Sequence, residues 1–110
     1  MSQQTEHVLQ QFKDCIPLLE VLTDVNRQAI IILLAQNKSG LNVNTIAGHM
    51  NLSRPAVSHH LKVLKQSGYI KAEKKGVENY YVLTIRKPLD QLKSLIASVE
   101  DACKGSHDLP

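Results

Sequence analysis

Apolar residues recur at helical spacing in five stretches of this chain and alternate with polar residues in a sixth. Val8, Phe12, Cys15, Leu19 and Leu22 return every three or four residues, so a first helix is expected from about residue 6 to residue 19. Pro17 falls inside it. Proline removes one hydrogen bond and clashes with the preceding turn, which predicts a kink or break near Cys15 to Pro17. A second helix starts near Asp24, an N-cap or first-turn acid, and runs to Gln36 or Asn37. Its segment Ala29-Ile30-Ile31-Ile32-Leu33-Leu34 is apolar almost all round, which predicts the buried centre of the fold. Lys38-Ser39-Gly40 reads as a turn. Val43 or Asn44 opens a third helix that directs Ile46, Ala47 and Met50 inward, and Met50-Asn51-Leu52 makes a tight connection onward.

A fourth helix spans residues 53–67. Ser53 is its N-cap, because a serine hydroxyl accepts an orphan amide bond of the first turn. Arg54 and Pro55 follow, and proline is tolerated there since those amides have no intrahelical partner. Val57, Leu61 and Leu64 give one buried face, and Gly68 supplies a left-handed C-cap. Residues 69–74 and 79–83 then read as two strands of a hairpin spanning residues 69–83. Ile70 and Ala72 alternate with Lys71 and Glu73, and Val77 and Glu78 lie in or beside the turn. Pro88 sits in the first turn of a last helix reaching about Lys104, with Leu89, Leu92, Ile96, Val99 and Cys103 as its seam. The expected architecture is mainly α with a small β-hairpin: four helices, two strands, a fifth helix. Residues 1–110 form a single domain, with polar tails at 1–5 and 105–110 expected to be disordered.

The net charge of +3 is small until it is mapped. Between residues 54 and 76 lie Arg54, Lys62, Lys65, Lys71, Lys74 and Lys75 against Glu73 alone, so this segment is +5 and the remainder −2. A basic charge concentrated on one helix and the adjoining hairpin is the electrostatic footprint of a nucleic-acid binder; a solvated lysine-rich face is the plainer alternative. The polar face of the fourth helix carries Arg54, Ser58, His59, Lys62, Lys65 and Gln66, cations and small donors able to meet phosphates and base edges. Arg54, Pro55, Ser58, His59, Lys62 and Lys65, with Lys74 and Lys75 beside the hairpin turn, are therefore the candidate DNA-binding residues. His59 and His60 are adjacent, so in a helix they point about 100° apart. His59 falls on the exposed face and His60 toward Val57, Leu61 and Leu64, as a structural histidine.

The run Ser53, Val57, Ser58, His60, Leu61, Leu64, Gly68, Tyr69, Ile70 resembles the winged helix-turn-helix of the arsenic-repressor (ArsR/SmtB) family. Asp24 and Arg27 match that family's D-x-x-R spacing, with Val25 where proline is common. The resemblance covers roughly residues 8 to 103. It implies a winged helix-turn-helix fold, double-stranded DNA as partner, and a homodimer made by the first and last helices, both of which carry apolar stripes. It also implies a transcriptional repressor that recognises a palindromic operator through the fourth helix and the wing. The alternatives are a winged-helix protein-interaction module without specific DNA binding, and a metal-responsive repressor with an atypical site.

Metal sensing is common in the resembling family, yet both of its familiar sites are altered. Asn42 and Asn44 stand where one site has cysteines, and amides are poor ligands for thiophilic metals. Residues 87–104 hold no histidine for the other. His7, His49 and His107 lack ligand spacing, so no metal and no cofactor are expected. Cys15 and Cys103 lie on the seams of the two terminal helices. Each reads either as a small buried hydrophobe or as half of a thiol switch that bridges those helices. Family members that sense oxidants through a cysteine in the second helix and one in the last are only half matched, because residues 30–34 lack cysteine. No Ser-His-Asp set, phosphate loop or paired carboxylate motif occurs, so no enzyme is expected. No run of ~18 apolar residues is present to span a membrane and the N-terminus lacks a secretory pattern, so a cytoplasmic chain is expected.

Overall fold

The computed structural model describes residues 2–104. Its elements are α1 (Gln3–Val21), α2 (Val25–Ala35), α3 (Val43–Met50), α4 (Arg54–Gln66), β1 (Ile70–Lys75), β2 (Glu78–Leu83) and α5 (Arg86–Lys104). The strands pair antiparallel, with Ile70 opposite Leu83 and Lys75 opposite Glu78. This is the order of a winged helix-turn-helix, mainly helical with one small hairpin. The tail at 105–110 lies outside the described residues.

Helix α1 differs from expectation at both ends and in its middle. It starts at Gln3, inside the segment expected to be a disordered tail, because extended Ser2 accepts the Thr5 amide at 3.1 Å. No break occurs at Pro17: the helix is continuous to Val21. Pro17 lies on the exposed side, so water can solvate the carbonyl that its ring leaves without a donor, while buried Cys15, Leu18 and Val21 hold the helix in one piece. The expected seam also merges two stripes. Val8, Cys15, Leu18 and Val21 are buried, whereas Leu9, Phe12, Ile16 and Leu19 form a second stripe, 42–47% exposed.

Helix α1 runs antiparallel to α5. Cys15 Sγ lies 3.7 Å from the Gln91 carbonyl, while Gln11 Nε2 reaches Ser94 Oγ at 3.3 Å, so rising numbers on one helix meet falling numbers on the other. On α5, Pro88 and Leu95 are the buried residues; Ile96, expected on the seam, faces outward. Helix α2 is only half central. Ile30, Ile31 and Leu34 enter the core, but Ile32 is 58% exposed on an outer face shared with Val25 and Ala29. An all-apolar helix of one domain has more apolar surface than its neighbours can cover, and the sequence alone does not say which side stays open.

The core centres on Ile30, Leu34, Ile46, Val57, Leu61, Leu64, Tyr69 and Ile70. Tyr69 precedes β1 rather than opening it, and is wholly buried. Its hydroxyl donates to the Leu18 carbonyl at 2.7 Å, tying the end of α4 to α1. Burial, and secondarily Cys15 nearby, push its phenol above the ordinary value of 10.0. A raised phenol keeps its proton, so this contribution is complete below pH 10 and is lost as pH rises through the folded-state value. Tyr69→Phe should lower unfolding free energy by about 1–2 kcal/mol, because the Leu18 carbonyl loses a buried donor. Urea denaturation at neutral pH measures this, and the wild-type advantage should shrink in strong alkali.

Candidate nucleic-acid interface

Two helix stops shape the turn between α3 and α4 and the exit toward the wing. Asn51 adopts the left-handed conformation (φ 55°), and the Leu52 amide returns to the Ala47 carbonyl at 3.4 Å, which ends α3 abruptly. Asparagine tolerates that region better than most residues with a side chain. Ser53 then caps α4, its hydroxyl accepting the Ala56 amide at 3.3 Å, with Pro55 in the first turn. Past Ser67, Gly68 takes φ +81°, and the Gly68 and Tyr69 amides bond the Lys65 and Leu64 carbonyls. That pair of bonds is a Schellman stop.

Between these stops, Val57, Leu61 and Leu64 point inward. At about 100° per residue, Arg54, Lys65, Ser58, Lys62, Pro55, Gln66 and His59 then fall in that order across an arc of about 140° on the other side. All seven are exposed. His60 lies off the arc, half-buried, with Nδ1 3.4 Å from Arg27 Nη1.

The wing is a two-residue hairpin. Lys75 pairs with Glu78, leaving Gly76 (φ +65°) and Val77 as the loop. Glycine first and a negative φ second is the pattern of a type II′ turn, which suits the twist of paired strands. Val77 is 96% exposed at the tip. Arg54, Asn42, Val77 and Glu78 line one cleft, so the first turn of α4 and the wing tip are neighbours.

Three contacts fasten the wing to the loop between α2 and α3. Leu41 and Tyr81 exchange backbone bonds at 3.2 and 2.8 Å, a single bridge that extends the hairpin. Gly40 permits the approach: its φ is +95°, and an added Cβ would stand 2.8 Å from Val82 Cγ1. Asn42 Nδ2 donates to Glu78 Oε2 at 2.8 Å, while its Oδ1 caps α3 through the Thr45 amide. Lys75 Nζ donates to the Ser39 carbonyl at 3.0 Å and lies 5.0 Å from the Tyr80 ring centre. Lys74 and Lys75 are both exposed, but Lys75 already serves the wing's attachment. None of these long-range partners has a local sequence signature.

The residues at the family's thiolate positions do not fit a metal. Both polar ends of Asn42 are used in caps and wing contacts, and an amide is a poor ligand for thiophilic ions. Among the described residues no three His, Cys, Asp or Glu side chains cluster to share an ion. No described helix is long and apolar enough to cross a membrane.

Residues 24–72, from the cap of α2 through the start of the wing, match the arsR family of bacterial regulatory proteins. The chain is 33% identical to the transcriptional repressor SdpR of Bacillus subtilis over 93 residues, 84% of this chain and 97% of that one. It is 30% identical to an HTH-type transcriptional regulator of Methanocaldococcus jannaschii over 93 residues, 84% and 99% of the two chains. The chain belongs to the arsR family. Among solved structures, a possible transcriptional regulator for arsenical resistance is 36% identical with TM-score 0.63, covering 74% of this chain and 81% of that one. The homodimeric winged helix-turn-helix DNA-binding domain of a Mycobacterium bovis protein is 26% identical with TM-score 0.63, covering 92% and 88%. This arsR-family chain is therefore a transcriptional regulator with a DNA-binding winged helix-turn-helix, from a family of regulators rather than enzymes.

The cysteines of this arsR-family regulator do not meet within one chain. Cys15, 3% exposed, packs at Gln91, and Cys103 lies twelve residues further along α5. At 1.5 Å per residue that is about 18 Å, against the 4.4–6.8 Å between Cα atoms that a disulfide needs. The antiparallel register of α1 and α5 thus overturns the expectation that a bridge could join them in one subunit. Diamide treatment should produce no fast-migrating, internally bridged monomer on non-reducing gels; such a band, abolished by either Cys15→Ser or Cys103→Ser, would show a different register.

Proposed function

We propose that this regulator is a cytoplasmic, homodimeric repressor that binds a palindromic operator through α4 and the wing. The observation that carries the reading is the exposed arc of α4, cationic and rich in small donors, backed by an apolar face and flanked by a basic hairpin. Arg54, Pro55, Ser58, His59, Lys62 and Lys65 would meet DNA from α4, and Lys74 and Lys75 from the wing. Repression is supported by the likeness to SdpR. Dimerisation is supported by the stripe Leu9, Phe12, Ile16 and Leu19 on α1, with Ile96 on α5, all left uncovered by their own chain, and by the homodimeric Mycobacterium bovis relative. Helical reading heads related by a two-fold axis need half-sites about one DNA turn apart. Signal response in this reading does not run through a bridge between Cys15 and Cys103 of the same subunit.

If each subunit neutralises three or four phosphates, log K should fall with log salt at a slope of roughly −5 to −7. Fluorescence anisotropy across salt, with sedimentation to establish the dimer, tests this. A slope near zero would favour a protein-interaction module instead.

Ser58 and His59 should carry sequence discrimination, and Lys74 affinity. Alanine at Ser58 or His59 should cost on the order of 1–3 kcal/mol on the selected operator and little on random duplex. Lys74→Ala should weaken both alike and make the salt slope shallower by about one. Equal losses on both duplexes for the Ser58 and His59 variants would refute that division.

A further inference from the structure

We propose that Arg27 and His60 form a positioning joint that holds the reading helix α4 at a fixed angle to α1, and so sets the half-site spacing this regulator accepts. The proposal rests on the dimeric reading above and adds the residues that fix its geometry.

Arg27 is 15% exposed and belongs to α2, yet its guanidinium serves two other helices. Nε donates to the Val21 carbonyl at 2.8 Å and Nη2 to the Glu20 carbonyl at 3.5 Å, both in the last turn of α1. Carbonyls there have no amide partners further along the helix, and the helix dipole places partial negative charge on them. Nη1 lies 3.4 Å from His60 Nδ1, midway along α4. Asp24 holds the base of the arrangement. Its carboxylate caps α2 through the Asn26 and Arg27 amides at 2.8 and 3.1 Å and lies 3.9 Å from Nη1. One planar, rigid group thus spans α1, α2 and α4, which a flexible lysine ammonium cannot do.

A single tie would leave α4 free to pivot. The second is Tyr69, just past the end of α4, bonded to Leu18 one turn earlier on α1. Two ties, at His60 and Tyr69, landing on the same final turns of α1, fix an angle. On the far side of α1 lies the uncovered stripe proposed to meet a second copy. The separation of two reading helices is then defined through this joint. Because Arg27 has only donors, His60 must offer a lone pair at Nδ1, which requires the neutral ring to carry its proton on Nε2.

The test uses the duplex that the wild-type protein selects from a random-sequence pool, and the same duplex with one or two base pairs inserted at its centre. Wild type should lose at least about fivefold in affinity per insertion, comparable to a mismatched base pair. Arg27→Gln, Arg27→Lys and His60→Leu should reduce that discrimination to less than about twofold, with an unchanged salt slope. His60→Asn, which can present an oxygen near the Nδ1 position, should retain most of it. Long-range ¹H–¹⁵N spectra should show His60 as the Nε2–H tautomer in wild type and a mixture in Arg27→Gln. Thermal melts establish which variants are folded, and His60→Leu decides the matter if Arg27→Gln is not. Folded variants that lose affinity equally on all three duplexes would overturn the joint, as would an Nδ1–H tautomer in wild type. A wild-type protein that selects no two-fold duplex would overturn the dimeric reading itself.

Discussion

The burial of one face of α4 governs most of what this chain presents to its surroundings. Val57, Leu61 and Leu64 are essentially inaccessible, and burying three such side chains is worth about 5–9 kcal/mol before entropy is counted. A helix held by that face has no rotational freedom left. The arc from Arg54 to His59 must then point outward, and residues one step off it must point sideways into neighbouring helices. His60 is such a residue, and it is where α4 meets Arg27. Apolar burial thus sets the rotation of the helix about its own axis, while polar ties set its direction.

The polar ties share a chemistry. Tyr69, Arg27, Gln28 and Asn37 each send a side-chain donor to a carbonyl in the last turn of a helix or just beyond it. Helix C-termini always leave such carbonyls unpaired, so they are dependable anchorage for side chains arriving from elsewhere. The wing follows a related rule. Its outer strand is fastened by Leu41, and its tip by Asn42 and Lys75, onto the loop between α2 and α3. A two-stranded hairpin alone is marginal in water. These contacts hold it beside the first turn of α4, where Arg54 and Val77 border one cleft.

The unfilled surface is as informative as the core. Helix α1 divides its apolar residues between a stripe buried on α5 and one left open, and α2 leaves Val25, Ala29 and Ile32 outward. In so small a domain the surface available to cover apolar side chains is limited. The α1 stripe spans four residues at three-four spacing, which suits a partner helix. The antiparallel register that creates this stripe also separates Cys15 from Cys103.

Local chemistry made the reading unit legible from the amino-acid order alone. The Ser53 cap, the Val57-Leu61-Leu64 face, the Gly68 stop and the alternating strands depend on neighbours within a few residues, so the helix, the wing and the exposed basic arc were readable before any fold existed. The family likeness rests on the same stretch. Three things required the assembled chain. Pro17 and residues 3–5 stay helical because a cap and a buried stripe outweigh proline and end fraying. The side of α1 and α2 that remains open depends on which neighbours arrive, and apolar periodicity cannot report that. The Arg27–His60, Asn42–Glu78 and Tyr69–Leu18 ties join residues 33 to 51 positions apart. Such pairings arise only when separate helices are brought together in three dimensions, which is why tertiary structure alone decided the angle of the reading helix.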